Sequence, residues 1–78
     1  MLKKIEIYTS DTCPNCTKLK EFLKNNNIKY IEYNISKSSK YKKELIKEGF
    51  LSVPVMKIEG DYVLGFDVPR IKQLLDLQ

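Results

Sequence analysis

Two cysteines separated by two residues, Cys13-Pro14-Asn15-Cys16, are the part of this 78-residue chain best suited to chemistry. At i and i+3 on the first turn of a helix their side chains share one side, with Cβ atoms about 5 to 6 Å apart, close to disulfide reach. A pair so placed can cycle between dithiol and disulfide. The sulfur nearer the helix start meets unpaired backbone N–H groups and the positive end of the helix dipole, which favour a thiolate near neutral pH, so Cys13 is the candidate nucleophile. Cys16, one turn further in, is expected to be shielded and to keep its proton longer. That suits a resolving thiol, which attacks the mixed disulfide on Cys13 and frees the product. Pro14 fits a first helical turn, where the N–H it lacks would have no intrahelical partner. Together with Thr12 and Asn15 it is a candidate for tuning the sulfurs. Two other uses of the pair stay open on spacing alone: small core residues without chemistry, or half of a soft-metal site such as one for Cu(I), completed by a partner.

A scaffold must present that helix start. Ile5-Glu6-Ile7-Tyr8 alternates apolar with polar and reads as a strand, and Thr9-Ser10-Asp11-Thr12 reads as the turn after it. Thr12 is the expected N-cap of a helix that begins at Cys13. Its stripe is Cys16, Leu19, Phe22 and Leu23, and Asn25-Asn26-Asn27 stops it. Ile28 through Ile35 reads as a second strand, with Ile28, Tyr30 and Glu32 on one face and Ile31, Tyr33 and Ile35 near the other. Ser36 or Ser38 then caps a short helix carrying Tyr41, Leu45 and Ile46, closed by Gly49 at C′. Val55-Met56-Lys57-Ile58, a turn at Glu59-Gly60-Asp61, and Tyr62-Val63-Leu64 form an antiparallel hairpin. Asp67 is the N-cap of a last helix with Pro69 in its first turn and Val68, Ile71, Leu74 and Leu75 as its stripe. The order β-α-β-α-β-β-α predicts an α/β fold with a parallel first strand pair and a right-handed crossover. The added hairpin completes a four-stranded mixed sheet with helices on both faces.

Composition narrows the function classes. One domain spanning residues 1–78 is expected, too short to divide. Fourteen Lys+Arg against ten Asp+Glu leave a net charge of +4, too mild to indicate nucleic-acid binding. With two cysteines and no histidine, a disulfide framework and a one-chain Cys/His zinc site are excluded. No apolar run approaches the roughly 20 residues of a membrane span, and Met1-Leu2-Lys3-Lys4 leads into alternating charge and Ile rather than a signal-peptide core, so a cytoplasmic protein is expected. Lys37, Lys40, Lys42, Lys43 and Lys47 read as a solvated helix face. The tyrosines read as core and rim packing.

Ile-Tyr-Thr-Ser-Asp-Thr-Cys13-Pro14-Asn15-Cys16, then Ser52-Val53-Pro54-Val55, then Gly65-Phe66-Asp67 heading the last helix, resemble a small glutaredoxin-like protein of the thioredoxin fold. The resemblance covers nearly the whole chain. The Gly49-Phe50 pair ahead of the Val-Pro segment and the Gly65-Phe66 stretch are similar to the redoxins that donate electrons to ribonucleotide reductase. The Cys-Pro-x-Cys pair is that of ordinary glutaredoxins. The resemblance implies a monomeric thiol-disulfide oxidoreductase without a bound cofactor, working through a Cys13–Cys16 disulfide and reducing disulfide-bearing proteins such as ribonucleotide reductase. Electrons would come from glutathione or from a flavoprotein such as thioredoxin reductase. It also implies a cis Val53-Pro54 bond, placing Val53's backbone beside Cys13 for an extended substrate. Phe66 and Asp67 would join the substrate site, Phe66 as an apolar ledge or, equally, as a buried anchor for the last helix. Two positions depart from the family. Ser10 stands where glutaredoxins commonly carry a lysine, and Leu64-Gly65 stands in place of a Gly-Gly pair. Unless Lys20 or Lys57 replaces the missing cation, weak glutathione activity and better reduction by a thioredoxin-reductase-type flavoenzyme are expected.

Overall fold

The alternation of apolar and polar residues near the start of the chain produces a central strand. In the computed structural model, which describes residues 4–76, the elements are β1 (Ile5–Thr9), α1 (Pro14–Asn25), β2 (Ile31–Asn34), α2 (Ser39–Lys47), β3 (Val55–Ile58), β4 (Asp61–Leu64) and α3 (Val68–Leu75). This is the expected β-α-β-α-β-β-α order. The sheet runs β2-β1-β3-β4, with β1 parallel to β2 and β3 antiparallel to both β1 and β4. Ile7 lies opposite Met56, which lies opposite Val63, so one face carries a continuous apolar row. On that face Ile5, Ile7, Met56, Ile58 and Val63 pack with Leu19 and Leu23 of α1 and Ile71 of α3, eight buried residues among those described. The other face is thinner: Tyr8, Val55 and Leu45 of α2 are its buried members. Among the described residues no helix is long and apolar enough to cross a membrane.

Three element boundaries and the stripe of α2 differ from the sequence reading. β1 extends to Thr9, which is fully buried instead of lying in a turn. β2 begins at Ile31, because the Ile28 N–H bonds back to the Leu23 carbonyl at 2.9 Å and closes the end of α1, so residues 28–30 are spent before pairing starts at Glu6 opposite Ile31. Ile28 and Tyr30 still pack on the α1 core as partly buried side chains. Ile46, expected on the buried stripe of α2, is 49% exposed, leaving Leu45 as that helix's buried residue. The hairpin turn is the two-residue Glu59-Gly60, both left-handed at φ +49° and +92°, so Asp61 enters β4 opposite Ile58. Two left-handed residues match the twist of the flanking strands. Ser38, not Ser36, sits at the N-cap of α2, without a side-chain capping bond, and Gly49 follows its C-cap at φ +95°.

Candidate active site

Residues 10–13 carry the chain from the buried end of β1 to the start of α1. The Asp11 N–H donates to Ser36 Oγ at 3.0 Å, Asn34 Nδ2 donates to Asp11 Oδ1 at 2.8 Å, and the Ser36 N–H donates to Asn34 Oδ1 at 2.9 Å. These bonds tie the loop to the end of β2. Cys13 then caps α1 itself: its backbone is extended, Pro14 occupies the first turn, and the Cys16 N–H donates to Cys13 Sγ at 3.1 Å. The sulfur takes the position a serine or aspartate oxygen would fill at an N-cap. Thr12, the N-cap expected from sequence, is exposed in the preceding turn, because an acceptor one residue later already satisfies the helix start. Cys13 is half-buried and Cys16 buried at 1% exposure. Pro14 and Asn15 are exposed over them.

The loop before β3 closes the other side. The Val53-Pro54 peptide bond is cis. The Cys13 thiol donates to the Val53 carbonyl at 3.6 Å, and the Gly65 N–H donates to the Pro54 carbonyl at 2.9 Å, bracing the end of β4 against the same loop. Cys13, Cys16, Val53 and Pro54 are therefore brought together. Phe66 and Asp67 are held mainly by structural contacts. The Phe66 ring stands edge-on to Phe22 with centroids 6.0 Å apart and packs on the α1/α3 core, the anchoring role. Asp67 Oδ1 accepts the Arg70 N–H at 3.2 Å as the cap of α3. Two apolar side chains that sequence reasoning passed over flank the loop: Leu51 is 87% exposed and Leu64 59% exposed. Nothing in the local pattern marks them, since their exposure follows from the path of the Val53-Pro54 loop and from an edge strand.

A polar network joins α1 to β1 and β2. Burial, together with the neighbouring Cys13 sulfur, pushes the Cys16 thiol up to about 12, while the Ser10 backbone N–H and the Lys20 charge pull against that shift. Lys20 Nζ donates to Glu32 Oε2 at 3.1 Å, and the same oxygen accepts the Thr9 hydroxyl at 2.6 Å. Burial pushes the Glu32 carboxyl up, but the hydrogen bonds from Thr9 and Lys20 outweigh it and hold the group below its ordinary range. The bond to Glu32 in turn raises Lys20 above the usual ammonium value against the opposing effect of burial. Lys57 faces the other side of the sheet, with Nζ 4.0 Å from Glu48 Oε1 and 5.7 Å from the centre of the Tyr62 ring. Both lysines named as substitutes for the missing cation at Ser10 are thus already ion-paired, Lys20 with Glu32 and Lys57 with Glu48. Two sulfurs alone do not complete a metal site, and among the described residues no group of three or more His, Cys, Asp or Glu stands ready to hold one.

Comparisons with known proteins agree with this geometry. A glutaredoxin-like 8.6 kDa protein in the rubredoxin operon of Clostridium pasteurianum is 37% identical over 73 residues, covering 92% of this chain and 97% of that protein. The crystal structure of the thioredoxin-like protein BC3987 superposes with a TM-score of 0.84 at 39% identity, covering 91% of this chain and 99% of the other. NrdH-redoxin from Escherichia coli, a glutaredoxin-like protein with a thioredoxin-like activity profile, gives 0.82 at 25% identity over 91% of this chain and 93% of its own. The sheet and its three helices are thus a thioredoxin fold. The family model for glutaredoxins matches residues 5–63, a span that takes in both cysteines and the Val53-Pro54 loop, and the chain belongs to the glutaredoxin family.

Proposed function

We propose that this protein is a dithiol-disulfide oxidoreductase, an electron carrier that reduces protein disulfides through Cys13 and Cys16. The observation that carries the reading is the half-buried Cys13 sulfur at the N-terminus of α1, taking the Cys16 N–H at 3.1 Å with the buried Cys16 one turn behind it, because a Cys-x-x-Cys pair so placed can pass between dithiol and disulfide. In the forward reaction the Cys13 thiolate attacks one sulfur of the substrate disulfide, whose S–S bond breaks, and the first substrate thiol departs. Cys16 then attacks Cys13 Sγ and releases the second thiol, leaving a Cys13–Cys16 disulfide and two electrons on the substrate. Val53 supplies the backbone edge for an extended substrate segment. Leu51 and Leu64 offer apolar surface beside it, of the kind that marks docking sites.

For the donor we favour a thioredoxin-reductase-type flavoenzyme over glutathione. Ser10 brings no cation to the site, Lys20 and Lys57 are both paired, and NrdH-redoxin, with its thioredoxin-like activity profile, is similar over most of the chain. Ribonucleotide reductase, implied by the Gly49-Phe50 and Gly65-Phe66 resemblance, is the protein substrate we favour, and a reducing cytoplasm suits the chemistry. Turnover of a protein disulfide is to be measured with NADPH and thioredoxin reductase, and in parallel with NADPH, glutathione and glutathione reductase. Faster turnover in the first assay is expected. Efficient exchange with glutathione, and none with thioredoxin reductase, would return the protein to the ordinary glutaredoxins. Inactivity in both would remove the oxidoreductase reading.

A further inference from the structure

Cys16 has to become a thiolate where the protein opposes one. It is 1% exposed, yet resolution requires its sulfur to attack Cys13, and the thiolate is the attacking form. The groups that face it can be named. The loop after β1 brings the Ser10 backbone N–H and the Cys13 sulfur, and α1 brings Lys20. β2 brings Glu32, which acts through Lys20, and Tyr30 on the chain leading into β2 adds a further influence on that lysine. Lys20 follows Cys16 by four residues on α1, so the two share a face with Cβ atoms about 5 to 6 Å apart. A surface lysine at such a position ordinarily extends to water. This one is tied down by Glu32 at 3.1 Å, and Glu32 by the hydroxyl of the fully buried Thr9 at 2.6 Å. Glu32 is the register partner of Ile7, whose side chain lies in the α1 core, so strand alternation puts the carboxylate on the sheet face that α1 covers.

On the dithiol reading proposed above, we infer that Lys20, held by Glu32 and Thr9, is a positioning residue for the resolving step, its ammonium fixed beside Cys16 to stabilise the thiolate as it forms. Lys20 transfers no proton. Cys16 loses its proton to solvent and its sulfur bonds to Cys13 Sγ. The Cys13–substrate S–S bond breaks, its electron pair leaves on the substrate sulfur, and that sulfur takes a proton from water. The dithiol is thereby oxidised and the substrate reduced.

The test mixes the reduced protein rapidly with stoichiometric dithiodipyridine and follows release of the chromophoric thiol. The first release reports attack by Cys13 and the second reports resolution by Cys16. In Lys20→Met the second release is expected to slow about tenfold at neutral pH, the effect of roughly one pKa unit on the attacking thiol. Its rate should also need a higher pH to reach half-maximum, the first release should keep the wild-type rate, and Lys20→Arg should restore the second. A second release unchanged in Lys20→Met, or both releases slowed alike, overturns the inference. A wild-type protein that gives one release instead of two overturns the dithiol reading itself, so the two failures are distinguishable.

Discussion

Cys13 gives and receives at the same sulfur: its thiol donates to the Val53 carbonyl and accepts the Cys16 N–H. In the proposed reaction, forming the mixed disulfide removes that S–H donor, which would leave the Val53 carbonyl to accept an N–H from an extended substrate segment. Attack on the disulfide and substrate seating would thereby be linked at one atom. Cys13→Ser is expected to abolish disulfide reduction, since the hydroxyl does not ionise near neutral pH. Cys16→Ser should still attack but accumulate as a mixed disulfide, visible as a mass increase by the substrate thiol. The donor preference is a residue-scale matter too. Ser10→Lys would place a cation near the sulfurs, and a charge-assisted hydrogen bond is worth about 1.5 to 3 kcal/mol, or one to two orders of magnitude in affinity. Glutathione-dependent turnover at subsaturating glutathione should rise by about tenfold or more in that variant. An unchanged rate would mean that the missing cation is not what limits glutathione use.

At the scale of elements, legibility followed how local each signal is. Asp67 and Pro69 at the head of α3 and Gly49 after α2 are read within a few residues of themselves, and the structure places them as read. The start of β2 is not local, because it depends on the Ile28 N–H returning to Leu23. Thr9 suits a strand and a turn equally, and only the shared face of Ile5, Ile7 and Thr9 decides for the strand. The cap of α1 escapes a search for oxygen acceptors because sulfur serves instead. The hairpin carries a residue unsuited to its backbone: Glu59 sits at φ +49°, where asparagine is better tolerated. Glu59→Asn should raise stability by about 1 kcal/mol or less, read from the urea midpoint, the exposed bond from the Lys4 N–H to Glu59 Oε1 being a small loss.

For the whole molecule, the Thr9–Glu32–Lys20 network ties β1, β2 and α1 together and makes their union sensitive to acid. A carboxyl lower in the folded than in the unfolded protein contributes stability above its unfolded value, near 4.3, and loses it as pH falls through the folded value. Glu32→Gln should therefore be less stable than wild type at neutral pH, with the gap closing as pH falls through the folded carboxyl's lowered value, by urea midpoints at neutral and acid pH. A second whole-molecule feature is the unequal division of the core among the described residues, eight buried side chains in the layer that α1 and α3 form with the sheet against three in the layer of α2. Free energies of local opening track the apolar packing each region must give up. Amides of α2 should exchange with deuterium through partial openings well short of global unfolding, whereas those of β1, β3 and α1 should exchange only when the whole chain unfolds. The cysteines belong to the slow-exchanging half, so a molecule whose α2 has transiently detached would still present an intact dithiol, and thiol turnover should outlast the loss of α2 protection as denaturant is added.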